Sequence, residues 1–115
     1  MGGPEEVVLN HVRHGTEVLI SPTAPFDVAL TFRQLNYMRG DIATLYHHRG
    51  DFFEWTGTAY QPVDDDNLRS LLYHFLAKCF ARSKNDKGEF EKVRVRPNMR
   101  MVSAVMEGMS RTMLK

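Results

Sequence analysis

The chain has 115 residues, 43% hydrophobic and 25% charged, with a formal net charge of +1. That length holds one domain around one core, and the composition is that of an ordinary soluble globular protein. No apolar run approaches the roughly 20 residues that span a bilayer, and the single Cys79 allows no internal disulfide.

The N-terminal MGGPEEVV lacks a basic-then-apolar secretory signal, and Glu6 breaks the myristoylation pattern. With one cysteine, this points to a reducing, cytoplasmic setting. Residues 1–21 read as an N-terminal extension: a short helix over 5–12, a break at Gly15, and a short strand over 17–20. Residues 22–115 read as a single domain. Pro22 and Pro25 bracket a helix start, with Thr23 able to cap it and Asp27 suited to its dipole. Val28, Phe32, Leu35 and Met38 line one face of that helix, and Gly40 is its natural stop.

Three strands follow, over 44–48, 52–56 and 59–63, with turns at Arg49-Gly50-Asp51 and Thr56-Gly57. Pro62 places the third strand at an edge. Residues 64–80 then change period. Leu68, Leu71, Leu72, Phe75, Leu76, Cys79 and Phe80 recur in steps of three and four, which predicts an amphipathic helix behind an acidic cap at Asp64-Asp65-Asp66. Residues 83–90 read as a polar loop. Val93 and Val95 alternate with Arg94 and Arg96, which predicts a short strand with one basic face. Asn98 can cap a last helix whose apolar face is Val102, Val105, Met106, Met109 and Met113. Gly108 inside that helix should cost about 1 kcal/mol relative to alanine. The predicted class is α+β: a small antiparallel meander of about three strands packed against three or more helices, with the 68–80 helix across the sheet.

The stretch Gly-Asp-Phe-Phe-x-Trp-x-Gly-x-x-Tyr, then an acidic cap, then Leu-Arg-x-x-Leu-Tyr-x-Phe-Leu, carries a resemblance. On Gly50, Asp51, Phe52, Trp55, Gly57, Tyr60, Leu68, Leu72, Tyr73, Phe75 and Leu76, the chain resembles one small domain of phage and plasmid primase–helicases of the poxvirus type. In those proteins it precedes a superfamily 3 helicase. Ala29 and Phe32 fit the helix that opens that domain, and Thr56 stands where the family usually has Asp. The resemblance covers roughly residues 22–113 and weakens after Phe80. It implies a non-catalytic accessory domain in DNA replication that links primase and helicase parts of one parent protein. The helicase motor is then expected beyond Lys115, and the primase and helicase domains are expected partners.

The residues alone carry fewer chemical signals. No Gly-x-x-x-x-Gly-Lys-Ser/Thr loop is present, and no serine, cysteine or histidine arrangement marks a nucleophile. No catalytic residue, metal site or cofactor is therefore assigned. His47 and His48 are adjacent and would point to opposite faces of a strand; His11, His14 and His74 lack partners at ligand spacing. The aspartate triplet lacks the spaced oxygens of a calcium loop. Arg-Gly-Asp occurs at 39–41 and 49–51, at element boundaries, where turn chemistry accounts for it.

Charge is the strongest functional signal. Residues 1–77 hold five Lys/Arg and ten Asp/Glu, whereas residues 78–115 hold ten and four. The basic half thus carries a net +6. Arg82, Lys84, Lys87, Lys92, Arg94, Arg96 and Arg100 are the candidate DNA-binding set, since clustered cations release phosphate counterions on binding. Asp86, Glu89 and Glu91 partly offset them, and a solvated surface is the plain alternative. Tyr46, Phe52, Phe53, Trp55 and Tyr60 would either stack on bases or pack beneath the helices; packing is the expected role. A second functional class is a protein-interaction or homo-oligomerisation module without direct DNA contact, using Met99, Met101, Met106, Met109 and Met113 as an adaptable surface.

Overall fold

The computed structural model describes residues 17–113. The expected helix at 5–12, with His11 and His14, lies outside the described residues. The class is α+β as expected, with three helices and eight short strands among the described residues. None of those helices is long and apolar enough to cross a membrane.

Helix α1 (Pro25–Asn36) begins at a proline, whose fixed φ suits a first turn. Thr23 does not cap it; Ala24 holds that position without a side-chain bond. Val28, Ala29 and Phe32 turn inward. The helix ends at Asn36, short of Gly40; the Asn36 side chain donates to the Phe32 carbonyl at 2.9 Å, and the Tyr37 N–H closes the last turn on the Arg33 carbonyl. Met38, expected on the helical face, therefore falls in β2 (Met38–Arg39), antiparallel to β3 (Ile42–Ala43).

The predicted meander forms from β4 (Leu45–His48), β5 (Asp51–Trp55) and β6 (Tyr60–Val63). Arg49 and Gly50 make the first turn, with φ of 51° and 88°. A two-residue loop that matches strand twist needs both central residues at positive φ, and glycine adopts this without strain. In the second turn the Thr56 hydroxyl accepts from the Ala59 N–H at 3.3 Å.

Helix α2 (Asp65–Ala77) is capped as predicted: the Asp64 carboxylate accepts from the Asn67 N–H at 3.1 Å. Leu68, Leu72 and Leu76 are fully buried, but Leu71 is 52% exposed. The helix also ends three residues earlier than the predicted stretch, at Ala77. Cys79 and Phe80 instead open β7 (Cys79–Lys84), the middle strand of a second sheet. Its neighbours are β1 (Val18–Leu19), parallel, and β8 (Phe90–Arg94), antiparallel. Val18 of β1 is buried in the core, so the domain takes in residues before the expected start at 22.

Helix α3 (Met99–Thr112) is capped by Asn98, whose side-chain oxygen accepts from the Met101 N–H at 2.8 Å. Val102, Val105, Met106 and Met109 are buried, as is Met113 just beyond. The methionine-rich contact surface is thus corrected: Met106, Met109 and Met113 are core, and only Met99 is well exposed. Helix α3 lies against α1 and α2 and also meets β4, where the His47 N–H donates to the Met113 carbonyl at 2.7 Å. The helix that the meander leans on is therefore α3, not the predicted 68–80 helix. All three helices and both larger sheets feed one hydrophobic cluster.

Candidate nucleic-acid interface

The β7–β8 ladder sorts the basic residues. Phe80 faces Arg94, Arg82 faces Lys92, and Lys84 faces Phe90 across the pair. Side chains alternate along each strand, so these six share one face, while Ala81, Ser83, Glu91 and Val93 share the other. Ala81 is buried and marks the second face as the inner one. Leu19 pairs with Phe80 and extends the outer face onto β1. Each strand thus reads Phe-x-cation-x-cation in opposite directions: Phe80, Arg82, Lys84 against Phe90, Lys92, Arg94.

Contacts on this face are cation–aromatic. Lys92 Nζ and Arg94 Cζ each lie 5.0 Å from the Phe80 ring centre, and Lys84 Nζ lies 5.6 Å from that of Phe90. Such contacts hold cations in place without neutralising them. Arg82 and Lys92 stand directly opposite, a repulsive arrangement. Lys92 is relieved by an ion pair with Glu17. Arg94 Nη1 donates to the Ala77 carbonyl at 3.2 Å, at the negative end of α2. Arg82 makes no side-chain hydrogen bond or ion pair among the described residues. A groove of about 670 Å³ continues from Phe80 and Arg94 past Leu71, His74 and Lys78.

Four of the seven predicted residues, Arg82, Lys84, Lys92 and Arg94, therefore come together. The other three stand apart in the chain path. Lys87 sits in the β7–β8 turn, where Asn85 Oδ1 accepts from the Lys87 and Glu89 N–H groups at 2.9 and 3.0 Å. The expected 83–90 loop is thereby cut to a tight turn. Arg96 lies past the end of β8, so it does not extend the ladder with Arg94 as expected. Arg100 lies in the first turn of α3. Arg82 and Lys84 both lie on β7, so Lys84 is in a strand and not in the expected 83–90 loop. Phe80 and Phe90 share this face, and Lys78 lines the groove beside it, although none of the three belongs to the basic set read from charge. The period-two repeat of Phe-x-cation-x-cation was the available signal for the two phenylalanines.

The meander aromatics also need correcting. Phe52 is buried, but Tyr46, Phe53, Trp55 and Tyr60 lie on the opposite, outer face. Tyr60 stacks edgewise near Tyr46 and tilted against Trp55, with centroids 6.1 and 4.8 Å apart. Tyr46, His48, Phe53 and Tyr60 line a cleft of about 330 Å³, and the Arg33 guanidinium lies 5.2 Å from the Tyr46 ring centre. The face covered by the core is the one carrying Leu45, His47, Phe52 and Val63.

Among the described residues, no group of three or more His, Cys, Asp or Glu gathers to hold a metal ion. Cys79 is buried and its thiol donates to the Phe75 carbonyl at 3.2 Å. Burial pushes its pKa up to about 12, the opposite of an activated nucleophile. Burial, and then the charge of Glu54, likewise raise the Tyr37 hydroxyl.

Compared with protein-family models, curated proteins and solved structures, the chain matches none.

Proposed function

We propose that this chain is a non-catalytic accessory domain of a DNA-replication protein, of the phage or plasmid primase–helicase kind, that contacts DNA through the outer face of β7 and β8. The observation that carries the DNA contact is the register, which puts Arg82, Lys84, Lys92 and Arg94 on one exposed face. The replication context rests on the resemblance at Gly50–Tyr60 and Leu68–Leu76. In that setting the domain joins primase and helicase parts, and its cations hold phosphate by position and charge with no bond made or broken.

Fluorescence anisotropy with labelled single- and double-stranded DNA over a salt series tests this. Four phosphate contacts would give a log–log slope of roughly −3, at about −0.7 to −0.9 per contact. Arg82→Glu with Lys84→Glu should weaken binding strongly at low salt and less at high salt. These two are the informative pair, because Arg94 also holds the end of α2. A wild type that does not bind at low salt, or a double variant that binds equally well, would move the interaction-module reading ahead. That second reading draws on the outer aromatic face of the meander, not on the methionines of α3.

A further inference from the structure

We infer that the nucleic acid taken by the β7–β8 face is single-stranded, with an unpaired base stacked on Phe90; this rests on the DNA-contacting reading above. Phe90 is 67% exposed on an edge strand and belongs to no part of the core. A large aromatic in that position leaves apolar surface in water, and its cross-strand neighbour Lys84 covers only part of it. Its neighbours on the face are cations: Lys84 opposite, and Lys92 two residues along the same strand. Phe80 is different. Its ring carries two cations, Lys92 and Arg94, each at 5.0 Å, whereas Phe90 carries Lys84 alone, at 5.6 Å, and stays 67% exposed, so Phe90 is the more open platform.

Charge complementarity decides between occupants. An apolar partner would have to cover Arg82 and Lys84 as well as Phe90, burying two cations that no anion of the face pairs; only Lys92 has one, Glu17. A polyanion with exposed π-faces satisfies both kinds of residue at once. A duplex supplies the phosphates but keeps its base faces inside the stack. An unpaired strand supplies both, and this pairing of basic groove and aromatic platform is how strand-binding proteins work without reading sequence. Phe80 and Lys84, the residue paired with Phe90, are four positions apart on β7. At about 3.3 Å per residue the two aromatic ends are roughly 13 Å apart, with the cations between them along the backbone path.

The test is Phe90→Ala in the full chain, with Phe90→Trp as rescue, measured against a labelled oligothymidylate and a labelled blunt duplex. Phe90→Ala should weaken oligothymidylate binding by roughly 5- to 150-fold, the value of one base stack. It should leave the salt slope unchanged, because no charge is lost. Duplex binding should not move, the melting midpoint should hold, and Phe90→Trp should bind at least as well as wild type. Equal loss on both DNA forms, or no loss on the oligothymidylate, would overturn the stacking inference. Salt-dependent binding that persists in that case leaves the phosphate-contact reading standing. A wild type that binds neither probe at low salt overturns both.

Discussion

Gly108→Ala sets two effects of known sign against each other. Within a helix, alanine is favoured over glycine by about 1 kcal/mol, so propensity alone predicts a gain. The structure predicts a loss. A Cβ at position 108 would stand 2.9 Å from Phe26 Cδ1, 3.1 Å from the Pro25 carbonyl oxygen and 3.3 Å from Phe26 Cα. The Phe26 ring is half-exposed and can turn away. The other two atoms are backbone of the first turn of α1 and can move only if the helices part. Overpacking of this kind costs about 1–3 kcal/mol. Less the propensity gain, the net loss is about 0–2 kcal/mol, with a value near 1 kcal/mol expected. For a chain of 115 residues that lowers Tm by about 4 °C. Urea and thermal melts followed by circular dichroism read it, with an unchanged urea m-value. A variant stabilised by the full propensity gain would refute the close crossing of α1 and α3.

Leu72 is fully buried on α2. Leu72→Ala should cost about 2–5 kcal/mol, and Leu72→Asp should abolish cooperative unfolding, because it buries an unpaired charge. A Leu72→Asp protein with an unchanged melting midpoint would contradict this packing. Cys79 should resist thiol reagents at neutral pH in the native state and react at once in urea. Its folded pKa lies above the reference value of 9.0, so the thiol's contribution to stability is full below about 9 and is lost as pH rises towards about 12. Tyr37 acts in the same direction. The urea midpoint should therefore fall over that alkaline range, and by less in Cys79→Ala; equal falls would rule out Cys79 as a cause.

Much of the local structure was legible because its signals are local. The caps at Asp64 and Asn98 and the Arg49-Gly50 turn depend on a few adjacent residues, and each occurs where the sequence puts it. The junction of α2 and β7 was not legible. Leu72, Leu76, Cys79 and Phe80 continue a helical spacing, while Phe80, Arg82 and Lys84 also fit a strand. Pairing of β7 with β1 and β8 decides between them, and β1 comes from the far end of the described chain. The same ambiguity hid half of the candidate site. The charge asymmetry marks residues 78–115 as the basic half, but only strand register shows which of its cations share a face. Helical spacing draws Phe80 into the preceding helix, and the polar run 83–90 draws Phe90 into a loop. The outer aromatics of the meander were misplaced for a related reason: alternation shows that one face is covered, not which one, and Phe52 alone lies on the covered side.

The most direct test of the central claim is an amide and side-chain chemical-shift map of the isotopically labelled protein as an oligothymidylate is titrated in at low salt. The account predicts progressive shifts concentrated on the Phe80–Lys84 and Phe90–Arg94 strands, including the Phe90 ring, Arg82 Nε and Arg94 Nε, and fading as salt is added. Shifts centred instead on Tyr46, Phe53, Trp55 and Tyr60, or none at all, would contradict it.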